Sequence, residues 1–310
     1  MANYITIDGG TTNTRVGLVL DGNLIETVKI PVGAMKSIGG NGALKDGIRQ
    51  AIESLLAKHG ASETDIAKIL ASGMITCEFG LCNLPHITAP AGISELHDSM
   101  HETVIEDISS IPIVFIRGVK TVGSLNETDM MRGEETELMG LLSYAAGDTL
   151  FVLPGSHSKL IEMENGKITA FSTMLTGEMI AALSGNTILK DAVDLSVSET
   201  DAEFLTEGYR QAEKCGINQA LFRVRILKNL FGADSVKTYS FFLGAVLQGE
   251  IASILSAKPE TVMLGGKQQL RDAMKTLLDA FGTKNVISLT EDEVEKSVFM
   301  GQIAVYEYGK

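Results

Sequence analysis

Hydrophobic and polar positions fall into two blocks along the chain, and both blocks predict a similar order of elements. The first block predicts strands at 4–7, 15–20 and 24–30, a helix at 42–59, strands at 67–72 and 111–116, and a helix at 134–146. The second predicts strands at 149–153, 159–163 and 167–173, helices at 176–184, 201–214, 217–230 and 239–257, a strand at 261–264, a helix at 267–281, a strand at 285–289 and a helix at 292–307. We therefore expect an α/β protein of two duplicated lobes, with a ligand cleft between them.

A polar turn rich in glycine and hydroxyl groups follows the first predicted strand. Its sequence is Asp8-Gly9-Gly10-Thr11-Thr12-Asn13-Thr14-Arg15. Glycine lets the backbone approach a ligand closely, and threonine hydroxyls and turn amides can bind phosphate oxygens. Asp8 ends the strand, where a carboxylate can hold Mg²⁺ through water. The pattern predicts a nucleotide-phosphate hairpin, with an ordinary polar hairpin loop as the alternative.

The composition favours helix-covered sheets and disfavours anionic partners. The 310 residues are 45% apolar and include 11 Phe, 6 Tyr and no Trp, so we expect a mostly aliphatic core. The length indicates two domains or one large one. The net charge of −13 makes the chain a poor electrostatic partner for nucleic acid or for anionic membranes.

Cysteine usage and hydropathy indicate a soluble cytoplasmic protein. Cys77, Cys82 and Cys215 are odd in number and lack zinc-pair spacing, so we expect reduced, buried thiols. No signal-like segment starts the chain, and no apolar run approaches the roughly 18 residues of a membrane span.

His97 and His101 are the two histidines at a metal-ligand spacing, with acidic residues beside them. One helical face would place both near a metal ion, but a solvated polar face is the favoured interpretation.

Three segments resemble the motifs of the sugar kinase, Hsp70 and actin superfamily. The first hairpin, from Asp8 to Arg15, is similar to its first phosphate motif, and residues 154–159, with the sequence Pro-Gly-Ser-His-Ser-Lys, are similar to its second. Residues 261–266 are similar to its adenosine motif, a strand that ends in Gly265 and Gly266 before a helix. The resemblance implies two ribonuclease H-like lobes of the actin-like ATPase fold.

Within that superfamily, four stretches resemble the 2-dehydro-3-deoxygalactonokinase family. They are Met131-Arg132-Gly133-Glu134-Glu135-Thr136-Glu137, Leu153-Pro154-Gly155-Ser156-His157-Ser158-Lys159, Thr176-Gly177-Glu178, and residues 242–251. The resemblance implies ATP-dependent phosphorylation of 2-dehydro-3-deoxy-D-galactonate at its terminal hydroxyl, giving the 6-phosphate in galactonate catabolism. A kinase for a different sugar, sugar acid or amino sugar is the alternative within the same class. A non-catalytic, nucleotide-switched protein like actin or Hsp70 is the alternative from another class.

The resemblance also implies roles for particular residues. The expected ATP-phosphate ligands are Gly10, Thr11, Thr12, Asn13, Gly155, Ser156, His157 and Ser158, and the expected adenosine-binding residues are Gly265 and Gly266. Asp8 is expected among the catalytic residues, as the one that holds Mg²⁺ through water, because Mg²⁺ keeps several waters in such sites. For most of these residues, turn formation or helix capping is the structural alternative.

The catalytic base is expected at the start of the helix that begins at residue 134. Related kinases place an aspartate there, whereas this chain has Gly133, so Glu134 is the first candidate and Glu135 the second. A helix N-terminus favours ionised carboxylates, and helix stabilisation alone is the alternative.

The substrate is an acid, so its carboxylate needs a cation or several amides. Arg132 is the expected ligand through bidentate pairing, with a pair to Glu134 or Glu135 as the alternative. Glu178 is expected to bind substrate or ribose, or only to start a helix.

The domain prediction assigns residues 1–133 and 292–310 to an N-terminal lobe and residues 134–291 to a C-terminal lobe. The lobes are expected to close around ATP and substrate, with hinges near 130–150 and near 290. The oligomeric state is left open, and a homo-oligomer is compatible with the sequence.

Overall fold

A computed structural model describes residues 2–145 and 149–310 as a mixed α/β protein. The strands are β1 Tyr4–Gly9, β2 Thr14–Leu20, β3 Asn23–Ile30, β4 Lys68–Gly73, β5 Ile87–Thr88, β6 His101–Thr103, β7 Ile113–Phe115, β8 Val119–Lys120, β9 Met130–Met131, β10 Thr149–Leu153, β11 Ser158–Glu164, β12 Lys167–Met174, β13 Thr261–Leu264 and β14 Val286–Ser288. The helices are α1 Gly42–His59, α2 Ile93–Asp98, α3 Glu134–Leu141, α4 Thr176–Asn186, α5 Ala202–Cys215, α6 Ile217–Phe231, α7 Ser235–Ala257, α8 Gln268–Ala280 and α9 Glu291–Tyr306.

The chain divides into two compact units. Unit 1 comprises residues 1–145, 163–170 and 292–310, and unit 2 comprises residues 146–162 and 171–291. The units change at residues 145 and 146, so α3 belongs to unit 1. The segment 163–170 joins unit 1 through a backbone bridge between Ala91 and Ile168 and an ion pair between Lys167 and Glu95.

Unit 1 is built on a six-stranded sheet with the order β3-β2-β1-β4-β7-β6. The strands β1, β4 and β7 are parallel, and β2 and β3 run antiparallel beside β1. One face of the sheet packs against α1, because Leu44, Ile48, Ile52 and Leu55 recur at helical spacing and are fully buried. In the small sheet β5-β8-β9, β5 precedes β7 in the chain, whereas β8 and β9 lie between β7 and α3.

The C-terminal helix α9 packs on α3 and β1 within unit 1. A Cβ atom on Gly301 would come within 1.7 Å of the Thr136 carbonyl oxygen, and one on Gly140 within 2.0 Å of the Ser297 carbonyl oxygen, so the helix backbones touch. The buried Gln302 side chain donates to the Ile7 carbonyl oxygen and to the Ser72 hydroxyl, both at 2.8 Å. The end of the chain thereby positions the start of the first sheet.

Unit 2 is built on a five-stranded sheet with the order β12-β11-β10-β13-β14 and is covered by α4 to α8. Its core is mostly aliphatic, as the composition predicts, with Phe242 and Tyr239 on α7 among the aromatic members. The predicted start of α7 at residue 239 was four residues late, because Asp234 caps the helix by accepting from the Lys237 amide at 2.9 Å.

The helix α7 corrects the expectation that nothing in the chain has the length of a membrane span. It is the one described helix whose length and mean hydropathy would suit a membrane, and most of its apolar window is buried within the protein. Phe241, Leu243 and Leu247 lie in the unit 2 core. The helix is thus packed within the core of unit 2.

Other differences from the predicted elements are confined to short segments. The helix predicted at 134–146 ends at Leu141 and continues as a 3₁₀ turn, Leu142–Tyr144, and residue 146 lies outside the described residues. The short elements α2, β5, β6, β8 and β9 were not predicted, because two to six residues are too few for a period to show.

Candidate active site

The carboxyl ends of β1, β4 and β7 lie at one edge of the unit 1 sheet. In the parallel pairing, Asp8 lies opposite Ser72 and Gly9 opposite Gly73. The chain after β4 forms a 3₁₀ turn, Met74–Thr76, and the segment up to Leu84 folds back on it through hydrogen bonds to the Ile75 and Thr76 carbonyl oxygens. This edge collects the first predicted turn and the start of α3.

The hairpin turn between β1 and β2 has the form expected of a phosphate-binding turn. Gly10 donates its amide hydrogen to the Asn13 carbonyl oxygen at 2.9 Å, and the side chains of Thr11 and Thr12 are exposed. The amides of residues 34 and 35 donate to the carbonyl oxygens of Gly10 and Thr11 at 3.1 and 3.0 Å. The backbone is therefore fixed, while its hydroxyl groups face solvent.

Asp8 lies at the base of this hairpin and is paired with Arg15. The Arg15 Nε and NH2 groups donate to Asp8 Oδ2 at 2.9 and 2.8 Å, and the guanidinium stacks 5.3 Å from the Phe299 ring. The other carboxylate oxygen, Oδ1, faces Gly73, since a Cβ there would lie 3.3 Å from it. Arg15 was not among the predicted site residues, although its place in the same turn could have suggested it.

Two glycines bring the start of α3 against the end of β4. Gly73 has φ of +81° and Gly133 has φ of +117°, a region that residues with a Cβ rarely occupy. A Cβ on Gly133 would lie 3.3 Å from the Gly73 Cα, and one on Gly73 would lie 2.5 Å from the Gly9 carbonyl oxygen. The close backbone contacts hold the acidic first turn of α3 beside Asp8.

The two candidate bases in that turn have different surroundings. Glu134 is half-buried, and its Oε2 accepts from the Arg132 amide at 3.1 Å. Glu135 is fully buried, and both of its carboxylate oxygens accept from the Gly133 amide, at 2.9 and 2.8 Å. Burial, with the neighbouring Glu134 charge, raises the pKa of Glu135 to about 8. Only Glu134 is accessible to a substrate hydroxyl.

Arg132 holds the segment that follows β4. Its NH1 group donates to the Thr76 carbonyl oxygen at 2.7 Å and to the Thr76 hydroxyl, and NH2 donates to the Leu84 carbonyl oxygen at 3.1 Å. NH2 also lies 3.3 Å from His86 Nδ1. To bind a substrate carboxylate as predicted, Arg132 would have to give up these bonds, so in this conformation it is a structural residue.

Asp8 Oδ1 is the carboxylate oxygen of β1 that could contact a magnesium ion at this edge of the sheet. No group of three or more His, Cys, Asp or Glu side chains that could hold a metal occurs within residues 2–145 and 149–310. Mg²⁺ in kinases often uses only one or two carboxylates together with water and substrate phosphates. Asp8 Oδ1, beside the hairpin, fits such a water-mediated contact.

The second predicted turn, residues 154–158, packs on the start of α4 within unit 2. The Gly177 amide donates to the carbonyl oxygens of Gly155 and Ser156, both at 3.1 Å, and the Glu178 amide donates to Ser156 at 3.3 Å. His157 Nε2 lies 2.8 Å from Glu178 Oε1, and both side chains are exposed. The structure thus brings together two residues that the sequence placed in separate motifs.

Buried polar groups lie beneath this turn. Ser158 is fully buried, and its hydroxyl accepts from the Gly155 amide at 3.3 Å. Lys159 is buried and donates to the His157 carbonyl oxygen at 3.0 Å. Glu250 on α7 is also buried, and neither of its carboxylate oxygens has a hydrogen-bond partner among the described residues. Burial raises the pKa of Glu250 to about 7, and the nearby Ser158 hydroxyl acts in the opposite direction.

The predicted adenosine turn lies beside residue 154. Gly265 donates to the Val152 carbonyl oxygen at 2.9 Å, and Lys267 donates to that of Pro154 at 2.8 Å. Gly266 has φ of +64°, and a Cβ there would come within 2.2 Å of the Pro154 carbonyl oxygen. The buried Arg271 donates to the Gly266 carbonyl oxygen at 2.7 Å. The second and third predicted motifs therefore form one surface of unit 2.

The histidine and cysteine predictions are partly corrected. His97 lies on α2 and His101 on β6, so they do not share a helical face, and His97 Nδ1 is bonded to the Val305 carbonyl oxygen at 2.8 Å. Cys77, Cys82 and Cys215 are free thiols, as expected, but they are only partly buried.

Comparison with known proteins gives consistent matches along almost the whole chain. A family model described as 2-keto-3-deoxy-galactonokinase matches residues 8–300. A protein of Rhizobium meliloti (strain 1021), named as a probable 2-dehydro-3-deoxygalactonokinase, is 26% identical over 95% of this chain and 94% of its own. The 2-dehydro-3-deoxygalactonokinase of Escherichia coli (strain K12) is 26% identical over 82% of this chain and 80% of its own.

A solved structure gives the same result for the fold. The crystal structure of a Sinorhizobium meliloti protein described as a 2-dehydro-3-deoxygalactonokinase superposes with a TM-score of 0.81 at 25% identity, covering 97% of each chain.

Proposed function

The chain belongs to the 2-keto-3-deoxy-galactonokinase family, and we propose on this basis that it transfers the γ-phosphoryl group of ATP to the C6 hydroxyl of 2-dehydro-3-deoxy-D-galactonate. Members of the family are kinases, phosphotransferases with an alcohol acceptor. The products are ADP and the 6-phosphate, in galactonate catabolism. We further propose that the protein acts in the cytoplasm.

The observation that carries this proposal is the convergence at the unit 1 sheet edge. The hairpin at residues 10–13 presents hydroxyl groups, Asp8 presents one carboxylate oxygen, and Glu134 lies at the adjoining helix start. Phosphoryl transfer depends mainly on positioning and on neutralising phosphate charge, with a carboxylate near the attacking hydroxyl. These three features supply the groups that such a reaction requires.

In this proposal, Glu134 accepts the proton of the substrate hydroxyl. Glu135 is unsuited to that role because its carboxyl is fully buried and bonded to Gly133. The hairpin residues Thr11, Thr12 and Asn13, with Gly10, bind phosphate oxygens of ATP. Mg²⁺, when bound near Asp8, would neutralise phosphate charge.

For unit 2 we propose nucleotide binding. Residues 155–158 would contact phosphate oxygens, with His157 held in place by Glu178. Gly265 and Gly266 would let the adenosine lie against the backbone. Support for this comes from the hydrogen bonds that join the two turns through Pro154.

We propose that the two units are duplicated ribonuclease H-like lobes of the actin-like ATPase fold. In each main sheet, three antiparallel strands precede parallel strands, in the orders β3-β2-β1-β4-β7 and β12-β11-β10-β13-β14. Equal orders in two sheets support a duplication. The functional boundary at residue 134 and the predicted hinges are retained as part of this proposal.

A coupled ADP-release assay with Mg-ATP tests the substrate. It would compare 2-dehydro-3-deoxygalactonate, its gluconate-derived epimer, and a panel of neutral and amino sugars. We expect turnover with the galactonate-derived acid at least about tenfold above the others, as a site with directed polar contacts allows. Turnover on a neutral or amino sugar alone would keep the kinase assignment and discard the sugar acid.

A further inference from the structure

We infer that Arg117 binds the carboxylate of the sugar-acid substrate, an assignment that rests on the proposed function. Arg117 belongs to no motif in the sequence, and Arg132, the carboxylate ligand that the family resemblance implies, already donates to Thr76 and Leu84. A substrate carboxylate needs a cation whose hydrogen-bond donors are available, and bidentate arginine is the best match to its geometry.

Arg117 is a partly buried cation with an unused donor, its Nε. Its Nε is buried and has no hydrogen-bond partner, and no ion pair joins it to an acid within residues 2–145 and 149–310. A guanidinium is always charged, and burying a charge without a counterion is costly. A bound carboxylate would supply both the missing charge and the missing hydrogen-bond acceptors.

The position of Arg117 suits the far end of the substrate. Arg117 follows β7, in which Phe115 pairs with Ala71 of β4. The same register continued for two residues places Arg117 opposite Gly73. Gly73 in turn lies opposite Gly9 of β1. The hydrogen bond from the Ile116 amide to the Ala71 carbonyl oxygen continues this pairing. Two strand spacings separate Arg117 from Gly9, or roughly 10 Å between Cα atoms.

That separation is large enough to hold a six-carbon acid. From its C1 carboxyl carbon to its C6 oxygen an extended chain of this kind spans roughly 7 Å, given carbon–carbon bonds of about 1.5 Å. Carboxylate binding at Arg117 would therefore leave the reacting hydroxyl near Asp8 and the hairpin at the end of β1.

A second contact ties Arg117 to the proposed base. The next residue, Gly118, lies against Met131, because a Cβ on it would come within 2.5 Å of the Met131 carbonyl oxygen. β8 and β9 pair just beyond this point, with Val119 opposite Met131. Met131 precedes Glu134 by three residues. The pairing of β8 with β9 therefore holds Arg117, the proposed carboxylate ligand, at a fixed position relative to Glu134, the proposed base.

The same corner of unit 1 is rich in positive charge. Burial, with the charges of Arg132 and Lys120, lowers the pKa of His86 to about 4. Arg117 also acts on the nearby Cys82, although burial dominates there and raises the pKa of that thiol. In a chain with a net charge of −13, such a concentration of cations is typical of an anion site.

A matched pair of substrates isolates the carboxylate. The first is 2-dehydro-3-deoxygalactonate, and the second is the neutral 3-deoxy-hex-2-ulose of the same C4 and C5 configuration, in which a hydroxymethyl group replaces the carboxylate. Both would be assayed with the full-length protein and its Arg117→Met variant. We expect kcat/KM for the acid to fall about 10-fold to 100-fold in the variant, and kcat/KM for the neutral sugar to change less than about threefold.

Two further variants serve as controls. Arg117→Lys keeps the charge and most of the stem but loses the planar fork, so an intermediate loss on the acid is expected. Arg49→Met removes an arginine of α1 that is paired with Asp46 and Glu53, and it should change the acid's kcat/KM by less than about threefold. The thermal midpoints of all variants identify any variant that does not fold. If Arg117→Met does not fold, the kinetics of Arg117→Lys decide whether Arg117 binds the substrate carboxylate.

The outcomes separate this inference from the proposed function. Unchanged turnover of the acid by the Arg117 variants, or equal losses on both substrates, would overturn the inference and leave the kinase assignment intact. Wild-type turnover confined to neutral sugars would instead overturn the proposed substrate, and the role of Arg117 with it.

Discussion

The glycine turns at the ends of β1 and β10 have similar sequences, but the acidic side chains near them differ in burial and in hydrogen-bond partners. In unit 1, the acids Asp8 and Glu134 are partly exposed, Asp8 at the base of the turn and Glu134 at the adjoining start of α3, and Asp8 is paired with Arg15. In unit 2, the unpartnered acid Glu250 lies buried beneath the turn, and the pair of His157 and Glu178 is exposed. On the proposed function, this difference assigns the proton-accepting chemistry to unit 1 and a shaped, largely neutral binding surface to unit 2.

The largest effect is expected from the unit 1 acid. Glu134→Gln should lower kcat about 10²-fold to 10⁴-fold, because a base that accepts the hydroxyl proton is lost. The matched control is Glu135→Gln, since the raised pKa of about 8 leaves that carboxyl mostly protonated near neutral pH. We expect the control to stay within about threefold in the ADP-release assay. The reverse order of effects would make Glu135 the base.

Substitutions at the strained glycines test whether both turns depend on close backbone contact. Gly73→Ala in unit 1 and Gly266→Ala in unit 2 combine a positive φ with a Cβ clash, so each should lower the free energy of unfolding by about 2–4 kcal/mol. Gly60→Ala has a similar φ of +66° and open space around it, and should cost only about 1 kcal/mol. Urea unfolding curves measure all three. Equal losses would show that the clashes relax.

The buried acid of unit 2 should make stability depend on pH. The pKa of Glu250 is raised in the folded state from 4.5 to about 7, so the folded state binds the proton more tightly than the unfolded state. Stability is then highest at low pH and falls as pH rises through that window, by about 2–3 kcal/mol between about pH 5 and pH 8. Glu250→Gln should remove this part of the slope in urea unfolding at the two pH values. The slope from Glu135 should persist, and an unchanged total slope would contradict the prediction.

The smallest effect on stability is expected from the exposed pair of unit 2. His157→Gln and Glu178→Gln should each change the free energy of unfolding by less than about 1 kcal/mol, because solvent screens exposed ion pairs. If His157 contacts phosphate as proposed, its variant should raise KM for ATP several-fold more than the Glu178 variant does. Equal KM values would leave the pair with a purely local role.

The long helices and strands and the local turns could be predicted from the sequence, because each depends on a pattern of residues that are close together in the chain. The helix α1 shows its buried face as a repeat of Leu44, Ile48, Ile52 and Leu55, and the turn at residues 8–15 carries its own glycines and hydroxyls. The family resemblance, which matches the comparisons, was also readable from contiguous motifs.

The roles of individual charged residues were less predictable, because their partners are distant in the chain. Arg132 bonds Thr76, 56 residues away, and Leu84, 48 residues away, so its local acidic neighbours gave no sign of that role. Glu250 was visible in a quoted motif, but its burial beneath Ser158 is a property of the packed helix. Arg117 carries no motif at all, and only its missing partner marks it.

The contact between Gln302 and Ile7 spans 295 residues and bears on how the chain is made. A ribosome releases β1, β4 and α3 long before α9, so the growing chain holds the proposed catalytic edge without the helix that supports it. The early sheet stays exposed on that face until α9 has emerged. Unit 1 is thus completed only once α9 has been made, and chains truncated before residue 291 should be prone to aggregate rather than to show partial activity.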